Sequence, residues 1–156
     1  MIPDAIIEFL KKPVVMHAAS RDEQLQSYSV RAFGPASVVD RELITFYIPQ
    51  RNSKKILDCY LENKRAGLVA CDVTSFETYQ FKGEFASTWE CGEEEYALLD
   101  TYVEQAKAVV IEIGFPEEFV NGWKAWNCKP SVAVSFKVED IFHQTPGPGT
   151  GDAVTE

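Results

Sequence analysis

Leu43-Ile44-Thr45-Phe46-Tyr47-Ile48-Pro49-Gln50-Arg51-Asn52-Ser53-Lys54-Lys55-Ile56-Leu57-Asp58-Cys59-Tyr60-Leu61-Glu62-Asn63 decides how the rest of this chain is read. Residues 43–48 form an apolar run of strand length, and Pro49 ends it. Beyond the turn, Ile56, Leu57, Tyr60 and Leu61 fall on one helix stripe. Asn52 or Ser53 is the expected N-cap, because a short polar side chain there accepts a bond from the free N–H groups of the first turn. The charge pattern is unusual. Unpaired N–H groups make a helix start positive, so acids are favoured there. Here Arg51, Lys54 and Lys55 crowd the start, and the first acid is Asp58. Two readings stay open. Either the basic turn is solvated, or an anion joins it. That anion would be a phosphate held by backbone N–H groups, Ser53 and the bases.

The composition bounds what this cluster can mean. With 156 residues, of which 46% are hydrophobic and 12% aromatic, the chain can bury a core and is not a disordered protein. A formal net charge of -9 argues against broad binding to nucleic acid or to an anionic membrane. A local basic turn on an acidic protein is therefore informative. Cys59, Cys71, Cys91 and Cys128 form no CxxC pair and histidines number only 2, so no zinc site is expected. No run reaches membrane-spanning length or has the form of a signal peptide, and a cytoplasmic, reducing compartment is the expectation.

Around this stretch the chain alternates short strands with tight turns. Residues 3–12 read as an amphipathic helix stopped by Pro13. Residues 13–19 and 25–33 read as a hairpin, with core packing expected for His17. Gly34-Pro35 punctuates the chain before a short strand at 36–39. Residues 66–73 are strongly apolar and read as a strand buried on both faces. Residues 76–88 alternate, with Tyr79, Phe81 and Phe85 on one face and Thr78, Gln80, Lys82 and Glu84 on the other. Gly83 marks a bulge or a close backbone approach. In residues 91–113, Tyr96, Leu99, Val103, Ala106, Val110 and Ile113 form a long helix stripe capped by Gly114. Residues 116–123 read as a short helical or turn segment, and residues 131–142 as the last strand. A single domain over residues 1–143 is expected, followed by a Pro/Gly-rich tail at 144–156 that begins by packing and ends free. About six short strands with helices at the edges predict a mainly β fold, a small antiparallel barrel. A dinucleotide-binding fold is disfavoured, because no GxGxxG follows a strand.

Taken together, Arg31, Phe46-Tyr47-Ile48, Ser53-Lys54-Lys55, Asn63, residues 66–70 and residues 79–84 resemble, in order and spacing, the FMN-binding split-barrel proteins related to pyridoxamine 5'-phosphate oxidase. The resemblance covers roughly residues 3–83. It implies an antiparallel split β-barrel of the Greek-key type. It also implies a homodimer with FMN in a groove between subunits. By position, Lys55 and Arg31 would neutralise the phosphate, and Ser53 and Lys54 would add hydrogen bonds. Backbone groups of Ile48 and Pro49 would edge the ring, and Thr78 or Gln80 would reach its polar rim. The Arg-x-His-x-Arg-type substrate motif of true pyridoxamine phosphate oxidases is missing near the C-terminus, where His143 has no Arg beside it. A vitamin B6 substrate is not expected.

The resemblance thus implies an oxidoreductase that passes electron pairs through FMN to or from a small molecule. The alternative is a non-catalytic binder or store for a flavin, a deazaflavin or haem on the same barrel. Haem would need an axial ligand, for which His17 and His143 are the candidates. No paired carboxylates or nucleophile–base set names a substrate. The Trp123–Trp126 pair reads as edge packing or as a cover for the ring.

Overall fold

Side chains that point alternately inward and outward build the barrel wall, interrupted by register shifts after Phe33 and after Lys82. The computed structural model describes residues 1–154. Its strands are β1 (Val15–Arg21), β2 (Ser27–Val39), β3 (Leu43–Pro49), β4 (Arg65–Cys71), β5 (Thr78–Glu90) and β6 (Ser131–His143). The helices are α1 (Asp4–Leu10), α2 (Gln50–Asn63), α3 (Glu93–Glu112) and α4 (Glu117–Gly122), followed by a 3-10 turn at Lys124–Trp126. The strands close into an antiparallel barrel in the order β1-β2-β3-β6-β5-β4, with β4 pairing back to β1. Every strand therefore has two neighbours and none is an edge strand, although the β2–β3 ladder is incomplete.

Met16, Ala32, Ile44, Phe46, Leu68, Phe81 and Phe136 fill the interior. Each large side chain so buried contributes about 1.5–3 kcal/mol. Ile6, Phe9 and Leu10 of α1, and Ile56 and Tyr60 of α2, join the same cluster, so both helices plug the barrel. On the outside, α3 lays Leu99, Tyr102, Val103 and Ala106 over Phe33 of β2, Tyr47 of β3 and Ala133 of β6. Gly34 permits that approach, since a Cβ there would stand 2.8 Å from the Tyr102 ring.

The barrel and its six strands match expectation, and several details do not. Helix α2 starts at Gln50 with Pro49 at its N-cap, and no side chain caps it. Ser53 is therefore the fourth helical residue, and Lys54 and Lys55 stand in the second turn rather than at the end. β2 does not break at Gly34-Pro35. It runs on to Val39 through a cis peptide, with a register shift between Phe33 and Ser37. β4 alternates instead of being buried on both faces, leaving Gly67, Val69 and Cys71 half-exposed. His17 was expected in the core and lies outside, opposite Arg31. The α3 stripe ends early, with Ile113 exposed beyond the helix.

The tail also folds back on the barrel. Gly151 N–H donates to the His143 carbonyl at 2.6 Å, and Val154 N–H donates to that of Ile141 at 2.8 Å. The end of the tail, expected to be free, is thus held against β6 as far as residue 154, and residues 155–156 lie outside the described residues. Gly83 sits at a register shift against β6, where a Cβ would come 1.9 Å from the Lys137 carbonyl oxygen. No helix is long and apolar enough to cross a membrane among the described residues.

Candidate functional site

Strand register assembles the site. Gln80 of β5 stands opposite Val69 of β4, Val69 opposite His17 of β1, and His17 opposite Arg31 of β2. Their sequence neighbours Phe81, Leu68, Met16 and Ala32 point inward, so these four side chains share one row on the outer face. Beyond Arg31 the wall opens. The β2–β3 ladder ends at Phe33 opposite Tyr47, while β3 continues through Ile48 to Pro49 before the chain turns into α2. Arg31 therefore marks the mouth of the split, with the α2 corner beyond it and Gln80 at the other end of the row.

A shallow groove of about 550 Å³ runs along the adjacent row, where Ala19, Gly67 and Lys82 stand in register. Ala19 and Gly67 carry almost no side chain, so its floor is flat enough for a ring system. Gln80, Arg21 and Arg65 also line it. Arg65 is already paired with Glu139 at 2.6 Å, and the Lys82 ammonium stands 4.5 Å from the Phe142 ring centroid.

Electrostatics single out Arg31. Its guanidinium packs 5.4 Å from the Phe33 ring centroid, yet its Nε is buried without a hydrogen-bond partner. Among the described residues no carboxylate pairs with it. Its charge is felt locally. Burial and the neighbouring Arg31 cation hold His17 below its ordinary value, which favours the neutral ring. Burial pushes the Tyr102 hydroxyl up to about 12, with Arg31 acting the other way.

The fold resembles that of several solved structures. Group A Streptococcus HupZ superposes with a TM-score of 0.55 at 16% identity, covering 97% of this chain and 100% of that one. An F420 reductase gives 0.54 at 10% identity, covering 90% and 98%. A Lactobacillus delbrueckii protein assigned as a pyridoxamine 5'-phosphate oxidase gives 0.53 at 13% identity, covering 90% and 93%. The chain has the FMN-binding split-barrel fold. At these identities the likeness concerns architecture alone. No family model matches the sequence. No curated protein matches it either.

On this split barrel the remaining expected residues lie apart from the row. Lys55 stands over the Tyr28 ring at 4.5 Å and 3.9 Å from Asp22, at the end of the barrel. Its neighbours are not those of Arg31. Lys54 points to solvent and pairs with Asp58 at 3.1 Å. Ser53 is buried, and its hydroxyl donates to the Gln50 carbonyl at 3.0 Å. Thr78 donates its hydroxyl to Phe76 and its N–H to Thr145 Oγ1, so the tail covers it. Gln80 keeps one long side-chain bond, accepting from Gln144 Nε2 at 3.3 Å. The structure thus brings Arg31 and Gln80 into one row, while Ile48 is fully buried in the core and Ile48 and Pro49 pair with Val132 and Ser131 of β6. It leaves Lys54 and Lys55 outside that row. Sequence reasoning missed His17, Val69, Ala19 and Gly67 as members of this face, because only strand pairing aligns them with the two polar ends.

Proposed function

We propose that this split barrel binds FMN along the outer row from the α2 corner past Arg31 to Gln80, and uses it in redox chemistry on a small molecule. One observation carries the reading. Two residues picked from distant stretches, Arg31 and Gln80, share a row at the opening of the barrel, and one of them is a cation whose buried Nε lacks a partner. The residues fit such a cofactor. A phosphate would supply the negative counter-charge that Arg31 lacks, through charge-assisted bonds. Arg51, Lys54 and Lys55 at the corner would add positive field. The Gln80 amide would meet the polar rim of a flat ring lying over Val69 and the small Ala19 and Gly67. Ser53 and Thr78 would have to exchange their present hydrogen bonds to take part.

When bound, FMN supplies two-electron transfer, and the protein supplies position and field. The half-exposed outer face leaves room for a second copy of the chain to cover the ring, as in a homodimer. The test is the absorption spectrum of the protein as isolated, followed by FMN titration of Gln80→Ala and Lys55→Ala variants. We expect a two-band flavin spectrum, with affinity falling more for Gln80→Ala than for Lys55→Ala. A Soret band, or binding that depends on Lys55 alone, would overturn the reading. Anaerobic bleaching by NADH or NADPH separates an oxidoreductase from a flavin store. A deazaflavin, for which the F420 reductase neighbour is named, is the competing occupant and would be identified on release.

A further inference from the structure

Arg31 has a second side. There a cavity of about 220 Å³ lies between the start of β1, the end of α3 and the segment after α4. Val15, Val73, Val110, Ile113 and Trp126 line it together with Arg31. Arg31 is the charged member of that lining. The Trp126 indole N–H is already committed to the Val120 carbonyl at 2.8 Å, so Trp126 offers its apolar faces. Trp123 packs edge-on against Trp126 with centroids 5.6 Å apart, and Phe119 and Phe115 continue the chain of rings outward.

Size and charge together restrict the occupant. A dry apolar cavity of roughly 150 Å³ holds benzene, so about 220 Å³ holds one ring with a small substituent and not a tricyclic flavin. A buried guanidinium N–H left without a partner calls for an acceptor, and Arg matches a carboxylate in fork geometry. Arg31 carries five N–H donors, enough for a carboxylate in the cavity and a phosphate in the outer row. We infer that this cavity binds a small single-ring aromatic carboxylate, with the carboxylate on Arg31 and the ring against Trp126. The site stands on its own geometry; calling its ligand the substrate rests on the flavin reading.

Benzoate and its neutral analogue benzyl alcohol are the probes, titrated into the full chain with and without FMN. Tryptophan fluorescence and ligand-observed NMR give the readout. We expect saturable benzoate binding at least tenfold tighter than benzyl alcohol. Val110→Phe and Ile113→Trp, each checked for folding by circular dichroism, fill the cavity and should abolish benzoate binding. FMN titration of the same variants should be unchanged. Equal binding of the two probes, no saturation with benzoate, or benzoate binding that survives both cavity-filling changes overturns the inference. Loss of benzoate binding with FMN binding intact in the parent chain would fell this inference alone. Cavity-dependent benzoate binding by a chain that ignores FMN would fell the flavin reading alone.

Discussion

Replacing Arg31 by Met separates function from stability. Met keeps an apolar stem of similar reach and removes the guanidinium. In the folded protein that group has lost part of its hydration without gaining a carboxylate, and its Nε has no partner. Relieving an unsatisfied buried donor is worth about 1–3 kcal/mol. Losing the stack on Phe33, at 5.4 Å, and the side-chain hydrogen bond with Tyr102 together costs about 1–2 kcal/mol. The ligand-free variant should therefore lie between about 1 kcal/mol less stable and about 2 kcal/mol more stable than the parent. At this chain length each kcal/mol moves Tm by about 2–4 °C. FMN binding should move the other way. Charge-assisted bonds contribute about 1.5–3 kcal/mol, so affinity should fall about 10- to 150-fold. Urea denaturation of the ligand-free protein and flavin fluorescence titration measure the two effects. An unliganded Arg31→Met that loses more than about 2 kcal/mol would make Arg31 a structural residue, and the argument from its missing partner would fail.

Three further changes probe the barrel itself. Tyr60 is fully buried, stacked on Phe85 at 5.4 Å, and its hydroxyl has no partner, so Tyr60→Phe should raise the denaturation midpoint by about 1 kcal/mol; a comparable loss would mean that the hydroxyl is bonded after all. Gly83→Ala puts a methyl group on the Lys137 carbonyl and should cost about 1–3 kcal/mol or more, whereas Gly122→Ala, with nothing within 4 Å, should be close to neutral in the same melts. Asp72 is pushed up by burial, but bonds from the Thr74 hydroxyl and amide and from the Lys12 ammonium win and hold its carboxyl well below the usual range. Its folded value being depressed, the stability it contributes is present above the unfolded value of about 3.9 and is lost as pH falls below that. Asp72→Asn should therefore flatten the acid side of a urea-midpoint profile below about pH 5, and an unchanged slope would refute the pairing.

Strand existence was legible because period-two patterns and turn residues are local signals. Phe81 and Phe85 alternate with Lys82 and Glu84 whatever lies beside them, and Gly83 announced a close approach that the β6 backbone makes. The start of α2 was not legible. Asn52 and Ser53 are good caps by local rules, but the Gln50 N–H is taken by the Pro130 carbonyl at 2.8 Å, a contact from the far end of the chain. That bond lets the helix begin three residues early, at Pro49. The basic cluster then lies in the second turn, where dipole repulsion is weaker, and its lysines find Asp58, Asp22 and Tyr28. The charge anomaly that first pointed to an anion is thus partly answered within the chain. The case for one moves to Arg31.

The misreading of β4 bears on the same face. Residues 66–73 look buried on both sides because their outward positions, Gly67, Val69 and Cys71, are as apolar as their inward ones. A closed barrel standing alone needs no such outer surface, and α3 covers β2, β3 and β6, none of which pairs with β4. Val69 also sits in the row between the two polar ends, with His17 and Arg31 on one side and Gln80 on the other. An apolar strip flanked by an uncompensated cation and a loosely held amide is the pattern expected where a flat, partly charged molecule lies, and not where water does. The sequence pattern of β4 therefore asks for a cover that the chain's own helices leave open, and this supports the flavin reading independently of the basic turn.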